Sequence, residues 1–198
     1  MEFRYYQKSF WLCYRELVEL IKIRGMSKYC YEYPRASVTA DSIVFSYKED
    51  ERDLKLLLIQ RKNDPFKGKW AMPGGFLDMQ ETVEQCAKRE LEEETSLSVD
   101  NLKLFTVASK LGRDPRGRCV TSVFWSIIPF TENVKAQDDA ANIKWFSVKD
   151  LPELAFDHTE IVRKAILELK NRALHDFDID NLFYSEKIKK AILNVLND

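Results

Sequence analysis

The sequence contains little cysteine and histidine, and this scarcity argues against zinc sites and disulfide frameworks. It has four cysteines and two histidines among 198 residues, and no two cysteines form a C-x-x-C pair. Disulfide-free chains are typical of reducing compartments, so we expect a cytoplasmic protein. A chain of this length buries enough surface to fold without a structural metal or a cross-link.

The sequence also lacks an excess of charge of one sign and any long apolar run. Lys and Arg number 31 and Asp and Glu number 32, so the net charge is −1. This balance gives no overall attraction to nucleic acid or to anionic membranes. The longest apolar runs, such as 56–59, are far too short to cross a bilayer, and the charges spread over the first 25 residues do not fit a signal peptide. We therefore expect no nucleic-acid partner and no membrane partner.

Hydrophobic periodicity divides the chain into predicted strands and helices. The predicted strands cover 37–47, 54–61, 104–110, 119–130 and 143–148, and the first two form a hairpin. The predicted helices cover 9–24, 81–95, 160–174 and 185–196. The stretch 63–75, rich in glycine and proline, is predicted as a loop. Strands on both sides of a central helix indicate a mixed α/β or α+β sandwich.

The helix 81–95 places carboxylates on its apolar face. At about 100° per residue, Glu90 and Glu94 lie within about 20° of Val83, in the middle of the apolar stripe, and Glu93 lies at its edge. Like charges at the negative end of a helix repel one another, and burying them unpaired costs several kcal/mol. A hard divalent cation would remove this cost. A solvated acidic helix end, the alternative, does not explain the phase of the two carboxylates.

The segment from Gly75 onward has the residue spacing of a known signature motif. Its fixed residues are Gly75, Glu81, Arg89, Glu90, Leu91, Glu93, Glu94, Ser96 and Leu97. This pattern resembles the Nudix box, a signature of hydrolases that cleave nucleoside diphosphates linked to another moiety. The resemblance implies the Nudix fold, an α/β/α sandwich around a mixed β-sheet. We place this domain at 35–170, between an N-terminal helical extension at 1–34 and a C-terminal helical appendage at 171–198.

The resemblance also implies a metal and roles for the box residues. Nudix glutamates hold Mg²⁺ or Mn²⁺, and the metal ligands carried over are Gly74 (through its carbonyl), Glu90, Glu93 and Glu94. Arg89 is expected to orient the carboxylates, and Glu81 to brace the loop or to contact a second ion. With Glu90 and Glu93, these two residues form the expected catalytic set.

One box position departs from the family pattern. Ser96 stands where the family has glycine, just past the helix end, where a left-handed backbone is usual. Serine in that conformation costs about 1 kcal/mol. Because every charged box position remains, we interpret the substitution as tolerated.

Segments outside the box resemble the ADP-ribose pyrophosphatase branch and, equally, the Nudix-related transcriptional regulators that sense ADP-ribose or sugars. These segments are 33–41, 61–75, 113–118 and 151–158. We expect metal-dependent hydrolysis of a nucleoside diphosphate derivative, with ADP-ribose giving AMP and ribose 5-phosphate; the alternative is a non-catalytic sensor. Such regulators add a winged-helix domain, whereas 176–198 shows one amphipathic helix, which favours the enzyme.

A pyrophosphate substrate requires guanidinium groups near its charge. The candidate substrate-binding residues are Arg35, Arg61, Trp70, Gly75, Arg116 and Arg118. Trp70 or Phe66 would stack on a base, although such aromatics are more often part of a core. Glu93 or the acidic pair Asp138-Asp139 would supply the general base, and His158 is expected to be a packing contact near a helix start.

The N-terminal segment is rich in aromatic residues, and its helix 9–24 carries more apolar surface than an isolated helix keeps in water. Nudix hydrolases of the ADP-ribose class are commonly dimers that exchange N-terminal elements, so the resemblance implies a homodimer. We expect Trp11, Tyr14 and Leu17 at the contact, although packing within one chain would also cover them. In light scattering, deletion of 1–30 should give a monomer or an insoluble protein; a native monomer at micromolar concentration would contradict the dimer.

Overall fold

The structure, a computed structural model, describes residues 32–137, 139–175 and 182–197. The chain divides after Arg35 into two units, and the second unit carries all elements below. Its strands are β1 (Ser37–Lys48), β2 (Asp53–Arg61), β3 (Trp70–Ala71), β4 (Gly74–Phe76), β5 (Lys103–Ala108), β6 (Cys119–Pro129) and β7 (Ala140–Ser147). Its helices are α1 (Val83–Thr95), α2 (His158–His175) and α3 (Glu186–Asn197). The predicted helix 9–24 lies outside the described residues.

The seven strands form one mixed sheet. β1 lies in its middle and pairs in parallel with β6. The other pairings among the described strands are antiparallel: β1 with β2 and β4, β2 with β3 and β7, and β5 with β6. The predicted hairpin is therefore present as β1 and β2. Because β4 pairs with β1, the glycines ahead of α1 are fixed to the middle of the sheet.

Helices cover both faces of the sheet. On one face Ile43 and Phe45 of β1 belong to a core with α2 and α3, and on the other face Val44 packs with Leu91 of α1. Neighbouring strand residues point to opposite faces, so a strand covered on both sides is apolar throughout. Each fully buried aliphatic or aromatic side chain contributes about 1.5–3 kcal/mol. This α/β/α sandwich confirms the predicted fold.

Two local predictions are wrong. α1 begins at Val83 and not at residue 81, because Thr82 is its N-cap. The stretch 63–75, predicted as a loop, contains β3 and the start of β4. These strands are too short to show a period, and they form only because distant parts of the chain pair with them.

The predicted boundary at 170 falls inside α2. Beyond it, Ile188, Ile192 and Val195 of α3 belong to the same hydrophobic core as the sheet. The described part of 171–198 thus packs into the domain core. Among the described helices, none has the length and hydropathy to cross a bilayer.

Candidate active site

The two ends of α1 fix the direction of its side chains. At the start, the Thr82 hydroxyl accepts a hydrogen bond from the Gln85 backbone at 3.3 Å, and the Gln85 side chain accepts one from the Thr82 backbone at 2.8 Å. This is a capping box. At the end, Ser96 adopts the left-handed conformation, with φ 60° and ψ 17°. The serine thus keeps the conformation expected of the box glycine, and the last helical turn remains in register.

Two box glutamates face the sheet. Glu94 is only 5% exposed, and its Oε2 accepts a hydrogen bond from the Gly74 backbone at 2.9 Å. Burial raises the pKa of Glu94 to about 8 and also raises the pKa of Glu90. The opposite face of α1 is exposed and carries Glu84, Gln85, Lys88 and Glu92. The helix phase read from the sequence is therefore correct, and the fold places carboxylates where their charge is disfavoured.

Arg89 joins three carboxylates. Its Nε and Nη2 donate to Glu81 at 2.9 and 2.6 Å, and its Nη1 donates to Glu90 at 2.8 Å and to Glu93 at 3.0 Å. The hydrogen bonds from Arg89 lower the pKa of Glu81 to about 2. Arg89 Nη2 also donates to the Phe76 carbonyl at 3.1 Å, which ties α1 to β4. This arrangement suits the orienting role that the resemblance implies for Arg89.

Gly74 and Gly75 bring the backbone of β4 against these carboxylates. Gly74 has a φ of 155°, and a Cβ there would overlap the Ala40 carbonyl oxygen. A Cβ at Gly75 would overlap the carboxyl group of Glu90. The close approach of backbone and carboxylate therefore requires glycine at both positions.

Acidic and basic side chains line one cleft of about 290 Å³ beside α1 and β4. Its residues include Gly74, Gly75, Arg89, Glu90, Asp139, Arg61 and Arg116. Arg61 donates to the Pro65 carbonyl at 2.7 Å, and its guanidinium lies 4.9 Å from the centre of the Phe156 ring. Guanidinium groups beside carboxylates form a site that suits a metal-bound pyrophosphate.

Sequence reasoning missed the buried charges in this cleft. Asp41 is 7% exposed, lies opposite Gly74 in the pairing of β1 with β4, and has its pKa raised to about 7 by burial. Arg113 Nη2 is 3.9 Å from Asp41, while Nε and Nη2 donate to Asp157 at 2.9 and 2.7 Å. The available signal was an acidic residue inside the apolar run 38–45.

His158, the first residue of α2, also lines the cleft. Its Nδ1 accepts a hydrogen bond from the Met72 backbone at 3.1 Å. Burial lowers the pKa of His158 to about 3, so the imidazole is neutral at physiological pH. This agrees with the predicted packing role.

Comparison with known proteins identifies the family to which the fold and the box belong. The sequence matches the NUDIX domain family over residues 38–168. The chain belongs to the Nudix hydrolase family. An ADP-ribose pyrophosphatase of Methanocaldococcus jannaschii is 43% identical over 73% of this chain and 81% of its own length.

A Nudix-type regulator is also similar to this hydrolase. The ADPR responsive transcriptional repressor NtrR of Acinetobacter baylyi is 33% identical over 71% of this chain, which spans 57% of that protein. The solved NUDIX domain of Shewanella oneidensis NrtR, complexed with ADP ribose, is 31% identical with a TM-score of 0.65. That match covers 72% of this chain and 94% of the solved chain.

This Nudix hydrolase does not bring every predicted residue to the cleft. Trp70 packs against Phe146, with ring centres 4.8 Å apart, and against the main core, so its predicted stacking on a base is not supported. Arg118 donates to the Ser109 carbonyl at 2.7 Å and is not among the cleft residues. Trp70 is held by a neighbour that is distant in sequence, whereas Arg118 is held by the backbone of nearby residues. Arg35 is exposed and belongs to the first unit, so its role stays a prediction.

Two further candidates lie near the cleft. Asp139 lines it and accepts a hydrogen bond from the Asn63 side chain at 3.0 Å, whereas residue 138 lies outside the described residues. Phe66 contacts the cleft residue Phe156 edge to face, with ring centres 4.8 Å apart. Asp139 therefore belongs to the cleft, and its role as the general base stays a prediction.

Nudix hydrolases generally use divalent metal ions. Within the described ranges, no three His, Cys, Asp or Glu side chains form a ready metal cage, and Arg89 instead binds Glu90 and Glu93. The donors nevertheless fit a hard cation, because Glu94 is a buried carboxyl group without a cationic partner among the described residues and the partly buried Glu90 has Arg89 as its cationic partner. These two residues would hold the ion.

Proposed function

We propose that this chain hydrolyses ADP-ribose to AMP and ribose 5-phosphate with Mg²⁺ or Mn²⁺. The observation that carries the proposal is the shared cleft, which Glu90, Arg61 and Arg116 line together. Hydrolysis of a pyrophosphate is favoured where a cation and guanidinium groups meet, because together they offset more of its charge than either does alone. The similarity to an ADP-ribose pyrophosphatase supports ADP-ribose as the substrate among nucleoside diphosphate derivatives.

Each residue has its own task in this reaction. Glu90 and Glu94 would be the principal ligands of the cation, with Glu93 as a further ligand or a group that activates water, and the cation would offset phosphate charge and lower the pKa of the attacking water. Arg61 and Arg116 bind phosphate oxygens. The water oxygen bonds to phosphorus, the bridging P–O bond breaks, and the water proton passes to Glu93 or to a carboxylate of the 131–142 loop such as Asp139.

Full-length protein with Mg²⁺ or Mn²⁺ should release AMP and ribose 5-phosphate in equal amounts from ADP-ribose. EDTA should reduce the rate to that of buffer alone, and added metal should restore it, because the carboxylates cannot replace the cation's charge. Chromatography of the products measures both. If neither metal supports turnover of any nucleoside diphosphate derivative, the proposal is wrong.

A non-catalytic sensor of ADP-ribose is the second candidate, and the similarity to NtrR is the observation that favours it. The box carboxylates Glu90 and Glu94 favour hydrolysis, since binding alone does not require a metal. A gel-shift assay separates the two. Specific DNA binding that ADP-ribose releases, in a protein without turnover, would favour the sensor.

We also retain two proposals that rest on the sequence. The aromatic N-terminal segment predicts a homodimer, which the light-scattering experiment tests. The cysteine-poor composition predicts a cytoplasmic location, and recovery of the native protein in a membrane or secreted fraction would contradict it.

A further inference from the structure

Asp114 binds Arg116, a cleft arginine whose side chain is substantially exposed. Arg116 Nε donates to Asp114 Oδ1 at 3.0 Å, Nη2 donates to Oδ2 at 2.8 Å, and the Arg116 backbone donates to Oδ1 at 2.9 Å. The Asp114 side chain is 6% exposed and the Arg116 side chain 43% exposed. The carboxylate is therefore the buried member of the pair, and the Arg116 side chain is the exposed member that lines the cleft.

Two aromatic rings hold the same guanidinium. Its central carbon lies 4.9 Å from the Phe76 ring centre and 5.7 Å from the Phe156 ring centre. Phe156 has a φ of 54°, a left-handed conformation that is costly for a phenylalanine and is found mainly where the surroundings enforce it. The two rings and the carboxylate together restrict the movement of the guanidinium.

The remaining nitrogen of Arg116 is available to a ligand. Nη1 makes no hydrogen bond to any residue in 32–137, 139–175 or 182–197, whereas Nε and Nη2 are bound to Asp114. By contrast, Arg113 uses its nitrogens on Asp157 and Thr121 inside the protein. Of these two cleft arginines, Arg113 therefore has an internal role and Arg116 is oriented with a donor to spare.

We propose that Asp114 is a positioning residue that holds Arg116 so that Nη1 meets a phosphate oxygen of the substrate. The inference rests on the proposed function, because it takes the cleft as a pyrophosphate site. A long arginine side chain loses much freedom on binding, and fixing it beforehand removes that cost from the binding step. Asp114 would act through Arg116 and not on the substrate, because both of its carboxylate oxygens are bound to Arg116.

A purely structural role for Asp114 is the alternative. Its backbone carbonyl accepts a hydrogen bond from Gly117 at 3.3 Å, so the residue also belongs to the turn 114–117. The two roles predict different results. If Asp114 positions Arg116, the effect of replacing Asp114 depends on the Arg116 side chain; if its role is structural, the effect does not. A double-mutant cycle separates them, because residues that act through one another are not additive.

The experiment compares Asp114→Asn, Arg116→Ala and the double variant, with KM and kcat for ADP-ribose and the Kd of inorganic pyrophosphate in Mg²⁺. We expect Asp114→Asn to raise KM and Kd about tenfold and to change kcat by less than about threefold. In the Arg116→Ala background the same change should have less than about a twofold effect. Asp100→Asn, a fully exposed aspartate, serves as the matched control.

Arg116→Lys gives a second measurement that does not alter Asp114. Lysine keeps the charge but loses the planar fork that pairs with the carboxylate and stacks between the rings. We expect it to bind pyrophosphate as weakly as Arg116→Ala, within about threefold. Binding equal to that of the unmodified protein would overturn the inference, because positioning would then be unnecessary.

Further outcomes separate this inference from the proposed function. Equal losses from Asp114→Asn in both backgrounds would show a structural role and overturn the inference. The predicted coupling in pyrophosphate affinity, in a protein that does not hydrolyse ADP-ribose, would support the inference while refuting the proposed function. A protein that binds neither pyrophosphate nor ADP-ribose would refute both.

Discussion

Replacing Glu94 by glutamine should lower kcat for ADP-ribose about 1000-fold or more, while the protein remains folded. Glutamine has nearly the same shape, and its oxygen can still accept the Gly74 hydrogen bond seen at 2.9 Å. What is lost is the carboxylate oxygen that would bind the cation, in a position that is 5% exposed. A thousandfold loss corresponds to about 4 kcal/mol of transition-state stabilisation, within the range that a metal centre supplies. Glu90→Gln should behave alike.

The matched control for this prediction is Glu92→Gln. Glu92 is on the same helix but on its exposed face, so its removal changes net charge equally without reaching the cleft. Steady-state kinetics and urea unfolding of the variants give the comparison. Turnover of Glu94→Gln within tenfold of the Glu92→Gln rate would show that the carboxylate has no catalytic task.

Replacing Gly75 by alanine should lower kcat/KM about 100-fold with little loss of stability. A Cβ at this position would overlap the Glu90 carboxyl group, and no other atoms are as close. The carboxyl group is the end of a flexible side chain, so it can move away at small cost to folding. A displacement of about 1 Å at a reacting centre is enough for a loss of this size.

Gly74→Ala provides the contrast. Its φ of 155° is unfavourable for alanine, and the new Cβ would overlap the backbone oxygen of Ala40. Backbone cannot give way as a side chain does, so we expect a loss of more than about 2 kcal/mol in the free energy of unfolding. Urea unfolding with Mn²⁺ titration distinguishes the variants: Gly75→Ala should be stable with weakened metal binding. Full activity of Gly75→Ala would show that Glu90 does not act where the structure places it.

The helix that carries the box shows how far sequence reasoning reached. The phase of Glu90 and Glu94 follows from residue spacing alone, and the burial of Glu94 agrees with it. Ser96 was expected in a left-handed conformation and adopts it. Both are local properties, set within one or two helical turns. The start of the helix was misplaced because the Thr82-Gln85 capping box was overlooked.

For the predicted substrate-binding residues, residue spacing did not show which side chains reach the cleft. Arg61 and Arg116 line the cleft, whereas Trp70 and Arg118 do not. All four lie in or next to turns between strands, where no period indicates which way a side chain points. Trp70 is directed into the core because β3 pairs with β2. That pairing is invisible in a strand of two residues.

The sequence by itself determined the box, the helix phase, the alternation of the strands and the absence of a charge bias. Each of these depends on spacing within a short segment. Only the tertiary structure decided that Asp41 lies opposite Gly74, that the Arg116 guanidinium contacts the rings of Phe76 and Phe156, and that α3 completes the core. These features join segments tens of residues apart, and their energies come from burial and charge pairing that exist only once the sheet has brought the segments together.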